Sequence, residues 1–467
     1  MIEFILNNKT IKTDVKSGMT LLYFIRENQG LKGTKSGCKE GDCGACTVLS
    51  GTLQPDDSVD YISITSCLTP MANVHGKHIV TVEGVNLTNE LNVSQQAIKD
   101  NFATQCGFCT PGFVNSLSGL ALTHTYPTES DAINALSGNI CRCTGYKSIE
   151  KAAHEVAEKL QDKDVKNELE WLVENKFVPT YFNEIPNKLK GLGTENNATE
   201  GVLVSGGTDL YVRHADALLD QDIQQATNFV SNKIEFSDTK CTIGLGANVT
   251  DLMENKELNN YFPNLKKHLK LVSSEQIRNM ASLGGNFVNA SPIGDMAIFF
   301  LALNSELLIQ NSISERRELA FKDFFLDYKK MDLKENEFIQ NLTFDLPDKN
   351  TSFNFEKVSK RTHLDIASVN AAMRISVKDE RITDVHISVG GVAAIPKYLA
   401  KTASFLNGKE LTKEHILEAQ EVMQSEISPI SDVRGTDQYK RLLARQLFFA
   451  HFIELFPNSF QLKDFVA

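Results

Sequence analysis

The 467-residue sequence has no apolar run that approaches a membrane-spanning helix, which needs ~20 residues. Its longest such stretch, Met296 to Leu303, is far too short. It has no basic run either. Its 48 lysines and arginines are outnumbered by 59 aspartates and glutamates, leaving a net charge of −11. That balance argues against a nucleic-acid partner. The N-terminus, Met1-Ile2-Glu3-Phe4-Ile5-Leu6, lacks a basic lead and reads as a strand rather than a secretory signal. No membrane association and a cytoplasmic location are therefore expected. Low-complexity segments are missing too. With 42% hydrophobic and 23% charged residues the composition is that of an ordinary globular chain, and the length suggests about three domains.

What stands out is cysteine. There are nine, and in a cytosolic chain clustered cysteines point to metal or redox chemistry rather than to a disulfide framework. Cys38, Cys43 and Cys46 share one loop, and Cys67 follows. This is C-x4-C-x2-C with a distant fourth cysteine, the plant-type [2Fe–2S] spacing. Gly41 and Gly44 would let the backbone wrap such an anionic cluster and aim N–H groups at its sulfurs. A second set pairs Cys106-Gly107-Phe108-Cys109 with Cys141-Arg142-Cys143. Thr110 and Pro111 predict an N-cap and first residue of a helix, and Ser148 predicts the cap of another. Both pairs would then sit just before positive helix ends, which favour an anionic cluster. No histidine lies within either set, which disfavours a Rieske centre. Two structural zinc sites, making this a zinc-stabilised binding or scaffold protein, are the alternative of a different class. The ninth cysteine, Cys241, reads as a buried inert thiol.

The expected fold is α+β and multidomain. Residues 1–82 read as a β-grasp, plant-type ferredoxin domain, with strands at Ile2–Asn7, Ile11–Val15, Thr47–Ser50, Asp60–Ile64 and His78–Val82 and a helix from Thr20. Residues 83–162 read as a helical domain carrying the second cysteine set. The charged stretch Gln161–Glu170 opens a linker, 163–176. Residues 177–348 and 349–467 read as two further α+β domains, the first with strands at Gly201–Ser205, Thr242–Leu245 and Glu337–Leu346.

Two loops could cradle phosphate. Leu203-Val204-Ser205-Gly206-Gly207-Thr208-Asp209-Leu210 is an apolar strand running into a Gly-Gly turn whose N–H groups would face phosphate oxygens. Ser282-Leu283-Gly284-Gly285-Asn286, followed by Asp295, is the other. Neither is the G-x-G-x-x-G fingerprint, so no Rossmann fold is expected. Taken alone, each Gly-Gly is more often an ordinary turn; two such loops in a chain with redox cysteines point to a dinucleotide cofactor. From the residues themselves the reading ends at an iron–sulfur protein with a phosphate-bearing redox cofactor.

The cysteine loop, Gln105-Cys106-Gly107-Phe108-Cys109-Thr110-Pro111-Gly112 and Asn139-Ile140-Cys141-Arg142-Cys143-Thr144-Gly145-Tyr146 resemble the iron–sulfur domains of molybdenum hydroxylases. The Val204–Asp209 and Ile277–Asn286 stretches resemble that family's FAD-binding loops. Lys360 to Ala367, Gly390-Gly391-Val392-Ala393 and Ser428-Pro429 with Asp432, Arg434-Gly435 and Tyr439 resemble its flavoprotein C-terminal domain. The order of two clusters then flavin is similar to the small subunit of the family's xanthine dehydrogenase branch. In the carbon monoxide dehydrogenase branch, clusters and flavin lie on separate chains.

The resemblance implies an electron-transfer subunit. Hypoxanthine or xanthine would be oxidised to urate at a molybdenum centre on a separate large subunit, in a dimer of heterodimers. Electrons would reach NAD+ by way of two [2Fe–2S] clusters, held by Cys106, Cys109, Cys141 and Cys143 and by Cys38, Cys43, Cys46 and Cys67, and then FAD. The same resemblance assigns FAD contacts to Leu203 through Leu210, Ser282, Gly285, Asp295 and Lys357, and no catalytic acid or base to this chain. Another N-heterocycle or an aldehyde is the alternative substrate. Val272 stands where the family often has an aromatic residue, which leaves the packing on the flavin face and the choice of acceptor open.

Overall fold

The computed structural model describes residues 1–193, 201–311, 315–361 and 364–465. It divides into two compact units, Met1–Ala226 with Ser274–Ala281, and Thr227–Ser273 with Ser282–Ala467.

In the first unit, β1 (Ile2–Leu6), β2 (Lys9–Thr13), β3 (Thr47–Leu53), β4 (Val59–Thr65) and β5 (His78–Val80) form one sheet in the order β2-β1-β5-β3-β4. Only β1 and β5 run parallel; the other pairs are antiparallel. The pleat explains the burial: Ile2, Phe4 and Leu6 enter a core with Leu21, Phe24 and Ile25, while Ile5 faces the opposite side against Ile185 and Leu189. Thr20 caps the helical turn Leu21–Tyr23 by accepting from the Tyr23 N–H, and one π turn, Phe24–Asn28, continues it. This is the β-grasp arrangement expected from the sequence.

Helices Val93–Asp100, Thr110–Thr123, Glu129–Ala135 and Lys147–Lys159 follow. Thr110–Thr123 is buried along most of its length and packs on β3 and β4. Lys163, its side chain fully buried, donates to the carbonyls of Ala121 and His124 at this helix's C-terminal end and pairs with Glu168 at 2.7 Å. The charged stretch read as a linker is thus ordered here: Glu168–Glu174 is helical, and Leu172 packs in one core with Phe177. The two expected caps are corrected. Cys109, not Thr110, occupies the cap position of Thr110–Thr123. Tyr146, at φ +69°, starts Lys147–Lys159, so Ser148 lies inside that helix.

In the second unit an antiparallel sheet orders Arg316–Ala320, Glu306–Asn311, Glu337–Asp345, Lys240–Gly244 and Ile234–Phe236. Cys241 is fully buried in its core, as expected. Against this core lies Asp295–Ala302, a helix apolar all round and therefore interior. A second antiparallel sheet orders Thr351–Val358, Val369–Lys378, Arg381–Gly390 and Lys397–Tyr398. Along its second strand Val369, Ala371, Met373 and Ile375 face the core of the C-terminal helices, and Ala372 faces the other core.

Among the described residues three imidazoles are buried. His78 hydrogen-bonds Tyr61 Oη at 2.7 Å and the Asn7 carbonyl at 2.8 Å. His268 and His451 both contact Asn354. Burial pushes His78 and His268 down to about 4 and His451 to about 3. An imidazole that titrates lower when folded than its ordinary 6.5 binds its proton more readily in the unfolded chain, so stability falls as pH drops through that window. Over the whole window each residue accounts for a loss on the order of 3 kcal/mol. Burial also raises the Glu356, Asp251 and Asp60 carboxyls, which opposes part of this fall. The melting temperature is therefore expected to fall steadily from pH 7 to pH 4, and a His451→Phe variant to show a shallower fall in a pH series of thermal melts.

Candidate functional site: two cysteine nests and a flavin cradle

The cysteine loop turns on two glycines. Gly41, at φ +73°, presents no side chain where a Cβ would lie 2.6 Å from Leu68 and 2.8 Å from Ile277. Gly44, at φ +65°, lies so near Gly138 that a Cβ would sit 2.2 Å from its carbonyl oxygen. The thiols face one another in pairs, Cys38 with Cys43 and Cys46 with Cys67. Backbone N–H groups point at the sulfurs: Glu40 and Asp42 to Cys38 at 3.3 Å, Cys38 to Cys43 at 3.4 Å, and Gly41 to Cys67. The Cys43 thiol and these amides pull Cys38 down to about 5, and the Cys67 thiol lowers Cys46. Their partners Cys43 and Cys67 move up in turn, each sharing its proton with the lowered sulfur, while the backbone N–H groups favour negative charge on the sulfurs they reach. Cys46 and Cys67 are buried among Leu22, Leu68, Ala72 and Val204.

The second set also resolves into pairs, Cys109 with Cys141 and Cys106 with Cys143. Burial, with a proton shared toward Cys141, raises Cys109 to about 12. Cys141 is lowered even though burial works against it, because the Thr144 hydroxyl, at 3.2 Å, and the Cys143 N–H, at 3.4 Å, donate to its sulfur. Cys106 and Cys143 are exposed. Among the described residues no three His, Cys, Asp or Glu side chains converge on a single ion. Two thiols for each of two irons is instead what a [2Fe–2S] cluster asks of four cysteines, so both sets fit one.

The first phosphate-loop candidate lies wholly in the first unit. Val202–Val204 pairs in parallel with Ile223–Gln225 and leads through Ser205–Asp209 into the helix Leu210–Leu218. A Cβ on Gly206 would lie 1.8 Å from the Met280 carbonyl oxygen, and Gly207 is at φ +80°. Asn73 donates to the Ser205 carbonyl at 2.9 Å, fixing the turn. A tight Gly-Gly turn at a helix start is a geometry that receives phosphate.

Ser282, Gly285, Asp295 and Lys357 belong to the second unit. Ser282 caps Leu283–Asn289 by accepting from the Gly285 N–H at 3.1 Å. Asp295 and Lys357 come together as an ion pair at 2.7 Å, with the Lys357 side chain 1% exposed. Lys357 is thus a buried lysine with a buried counter-ion, not a solvated surface lysine. Lys357 also donates to the Leu271 carbonyl, and Asn370 donates to the other Asp295 oxygen at 2.6 Å. Asn286 Oδ1 and Asn370 Oδ1 are buried without a hydrogen-bond partner among the described residues, so polar acceptors remain available to a bound group. Asn286 directly follows the Gly-Gly pair and was visible as a candidate; Asn370 had no signal beyond lying in a strand. Residues 362 and 363, inside the Lys360–Asp365 stretch, lie outside the described residues.

Residues 4–72 match the 2Fe-2S iron-sulfur cluster binding domain, and residues 81–154 the [2Fe-2S] binding domain. Residues 185–347 match the FAD binding domain in molybdopterin dehydrogenase, and 355–455 the CO dehydrogenase flavoprotein C-terminal domain. The chain carries the iron–sulfur and FAD domains of a molybdenum hydroxylase. It is 29% identical to xanthine dehydrogenase 1 of Arabidopsis thaliana over 96% of this chain and 39% of that one. It is 30% identical to the xanthine dehydrogenase of Oryza sativa subsp. japonica over 98% and 40%, and 27% identical to aldehyde oxidase 3 of Rattus norvegicus over 97% and 39%. The chain thus spans about two fifths of these relatives' length. Reconstituted CO dehydrogenase from Oligotropha carboxidovorans shares the fold of part of it, with a TM-score of 0.50 and 21% identity over 54% of this chain and 88% of that one. The zinc-scaffold alternative gives way to the iron–sulfur domain matches. The matches give the chain two [2Fe–2S] domains and one FAD domain. No helix among the described residues is long and apolar enough to cross a membrane.

Proposed function

We propose that this chain is the iron–sulfur and FAD subunit of a xanthine dehydrogenase. In this reading a separate partner carries the molybdopterin and oxidises hypoxanthine and xanthine to urate, and NAD+ is the final acceptor. The observation that carries the proposal is the pairing of both cysteine sets in a chain that also bears the flavin domains and aligns along nearly its whole length with xanthine dehydrogenases. When bound, the clusters supply one-electron chemistry and FAD links it to the two-electron chemistry of a nicotinamide.

This chain's residues hold and tune. Cys38, Cys43, Cys46 and Cys67 would hold one cluster and Cys106, Cys109, Cys141 and Cys143 the other. The amides of Glu40, Gly41 and Asp42 and the hydroxyl of Thr144 favour negative charge on the sulfurs. Residues Leu203–Leu210 would receive the FAD pyrophosphate, and Ser282, Gly285, Asp295 and Lys357 other parts of the nucleotide. No side chain here is assigned proton transfer. A cytoplasmic dimer of heterodimers completes the proposal. The same role toward an aldehyde is the second reading, favoured by the likeness to aldehyde oxidase 3.

An anaerobic visible spectrum of the natively purified complex tests this. Xanthine or hypoxanthine is expected to bleach the iron–sulfur and flavin bands, and NAD+ to restore them. Bleaching by dithionite but not by purine would move the proposal to another substrate. A colourless protein that had not lost its cofactors in purification would sink the electron-transfer reading.

A further inference from the structure

The two cysteine sets meet through one backbone hydrogen bond. Ile140 N–H donates to the carbonyl of Cys43 at 3.0 Å. Cys43 belongs to one set, and Ile140 immediately precedes Cys141 of the other. The path runs from Cys43 Sγ through Cβ, Cα and the carbonyl, across that hydrogen bond, and along the Ile140 backbone to Cys141 Sγ. The backbones approach closely because the residues around the crossing are glycines. A Cβ on Gly112 would lie 2.3 Å from the Gly44 carbonyl oxygen, and one on Gly44 would lie 2.2 Å from that of Gly138.

A buried amide clamp grips this crossing. Asn139 Nδ2 donates to the Gly44 carbonyl at 3.1 Å and to Thr47 Oγ1 at 3.4 Å. Asn139 Oδ1 accepts from Ser116 Oγ at 2.7 Å and from Gln276 Nε2 at 3.2 Å. Asn139 is 5% exposed, Ser116 1% and Gln276 0%. Gln276 comes from Ser274–Ala281, a segment that lies within the FAD-domain match yet packs inside the iron–sulfur unit. Its Oε1 is buried with no hydrogen-bond partner among the described residues. Burying an unsatisfied amide oxygen costs about 1–3 kcal/mol. Gln276 Nε2 also donates to Ser116 Oγ at 3.2 Å, so one amide ties Ser116 and Asn139 together beside the crossing.

We propose that Asn139 and Gln276 are positioning residues for electron transfer between the two clusters, holding the Cys43–Ile140 hydrogen bond at tunnelling contact. The inference rests on the cluster reading above. With clusters bound, Cys106, Cys109, Cys141 and Cys143 would hold the one-electron donor and Cys38, Cys43, Cys46 and Cys67 the acceptor. No bond is made or broken, and no proton is carried.

The test uses the full chain with its cofactors and needs neither purine nor NAD+. Wild type and Gln276→Leu are reduced with dithionite, and their EPR spectra compared. In parallel, a radiolytic pulse delivers one electron and freeze-quenched EPR follows it from one cluster signal to the other. Gln276→Leu is expected to keep both signals, to narrow the splitting that arises from their magnetic interaction, and to slow the exchange several-fold. Ser116→Ala, which removes one donor to the same oxygen, is expected to give a smaller shift in the same direction. It is read in place of Gln276→Leu if that variant fails to load both clusters. Unchanged splitting and unchanged exchange in a fully loaded variant would overturn the clamp. Absence of iron–sulfur signals from dithionite-reduced wild type would instead remove the cluster reading on which it rests.

Discussion

Replacing Cys46 by alanine is expected to erase one of the two iron–sulfur EPR signals and to leave the other at full intensity. Cys46 and Cys67 face each other among the apolar side chains of Leu22, Leu68, Ala72 and Val204. The second set lies on a different part of the chain with its own donors, Thr144 and the Cys143 amide. Loss of one nest therefore leaves the other intact. Cys141→Ala should produce the converse spectrum, and in either variant electron delivery from substrate to flavin should fall to background. Cys241→Ala, in the core of the second unit, should change neither signal. Iron content and EPR on the three variants check this. Simultaneous loss of both signals in Cys46→Ala would refute independent nests, and retention of both would refute the ligand assignment.

The second large effect is expected at Lys357. Its ammonium is 1% exposed and Asp295's carboxylate 13%, and each is the other's counter-ion. Among the described residues, Lys357→Met would leave the Asp295 carboxylate with the Asn370 amide alone. Breaking a buried pair from one side costs about 3–5 kcal/mol, because the remaining charge stays buried without compensation. The variant should melt well below wild type and purify with less FAD. Pairing it with Asp295→Asn should recover much of the stability, since both charges are then gone. Thermal melts and flavin absorbance of the single and double variants decide it. If the double variant melts no higher than the single, the pair is not what holds this region.

Much of the site was legible because ligand spacing is a local property. The C-x4-C-x2-C loop and the C-x2-C and C-x-C pairs are sequence-near, so the chain can bring each group together without knowing the rest of the fold. The glycines between them carried a second legible message, since Gly41 and Gly44 adopt positive φ. The β-grasp strands were legible from their alternation. The helix starts were less so. Tyr146 begins its helix from a left-handed conformation, which no cap residue announces. The charged stretch before Glu168 looked like a linker because burial of Lys163 depends on carbonyls at the end of a helix far back in the chain.

The sequence by itself determined the two cysteine nests, the Gly-Gly turn at Gly206, the order of the domains and the absence of a long apolar helix. Each follows from residue types a few positions apart, where covalent geometry and local propensity dominate. Only the tertiary structure decided which thiols face each other, that Lys357 is buried against Asp295, and that Gln276 reaches across to Asn139 beside the crossing between Cys43 and Ile140. These are contacts between residues far apart in the chain. Their partners are chosen by the packing within each unit, and burial, which sets the strength of every charge and hydrogen bond among them, exists only once the chain has folded.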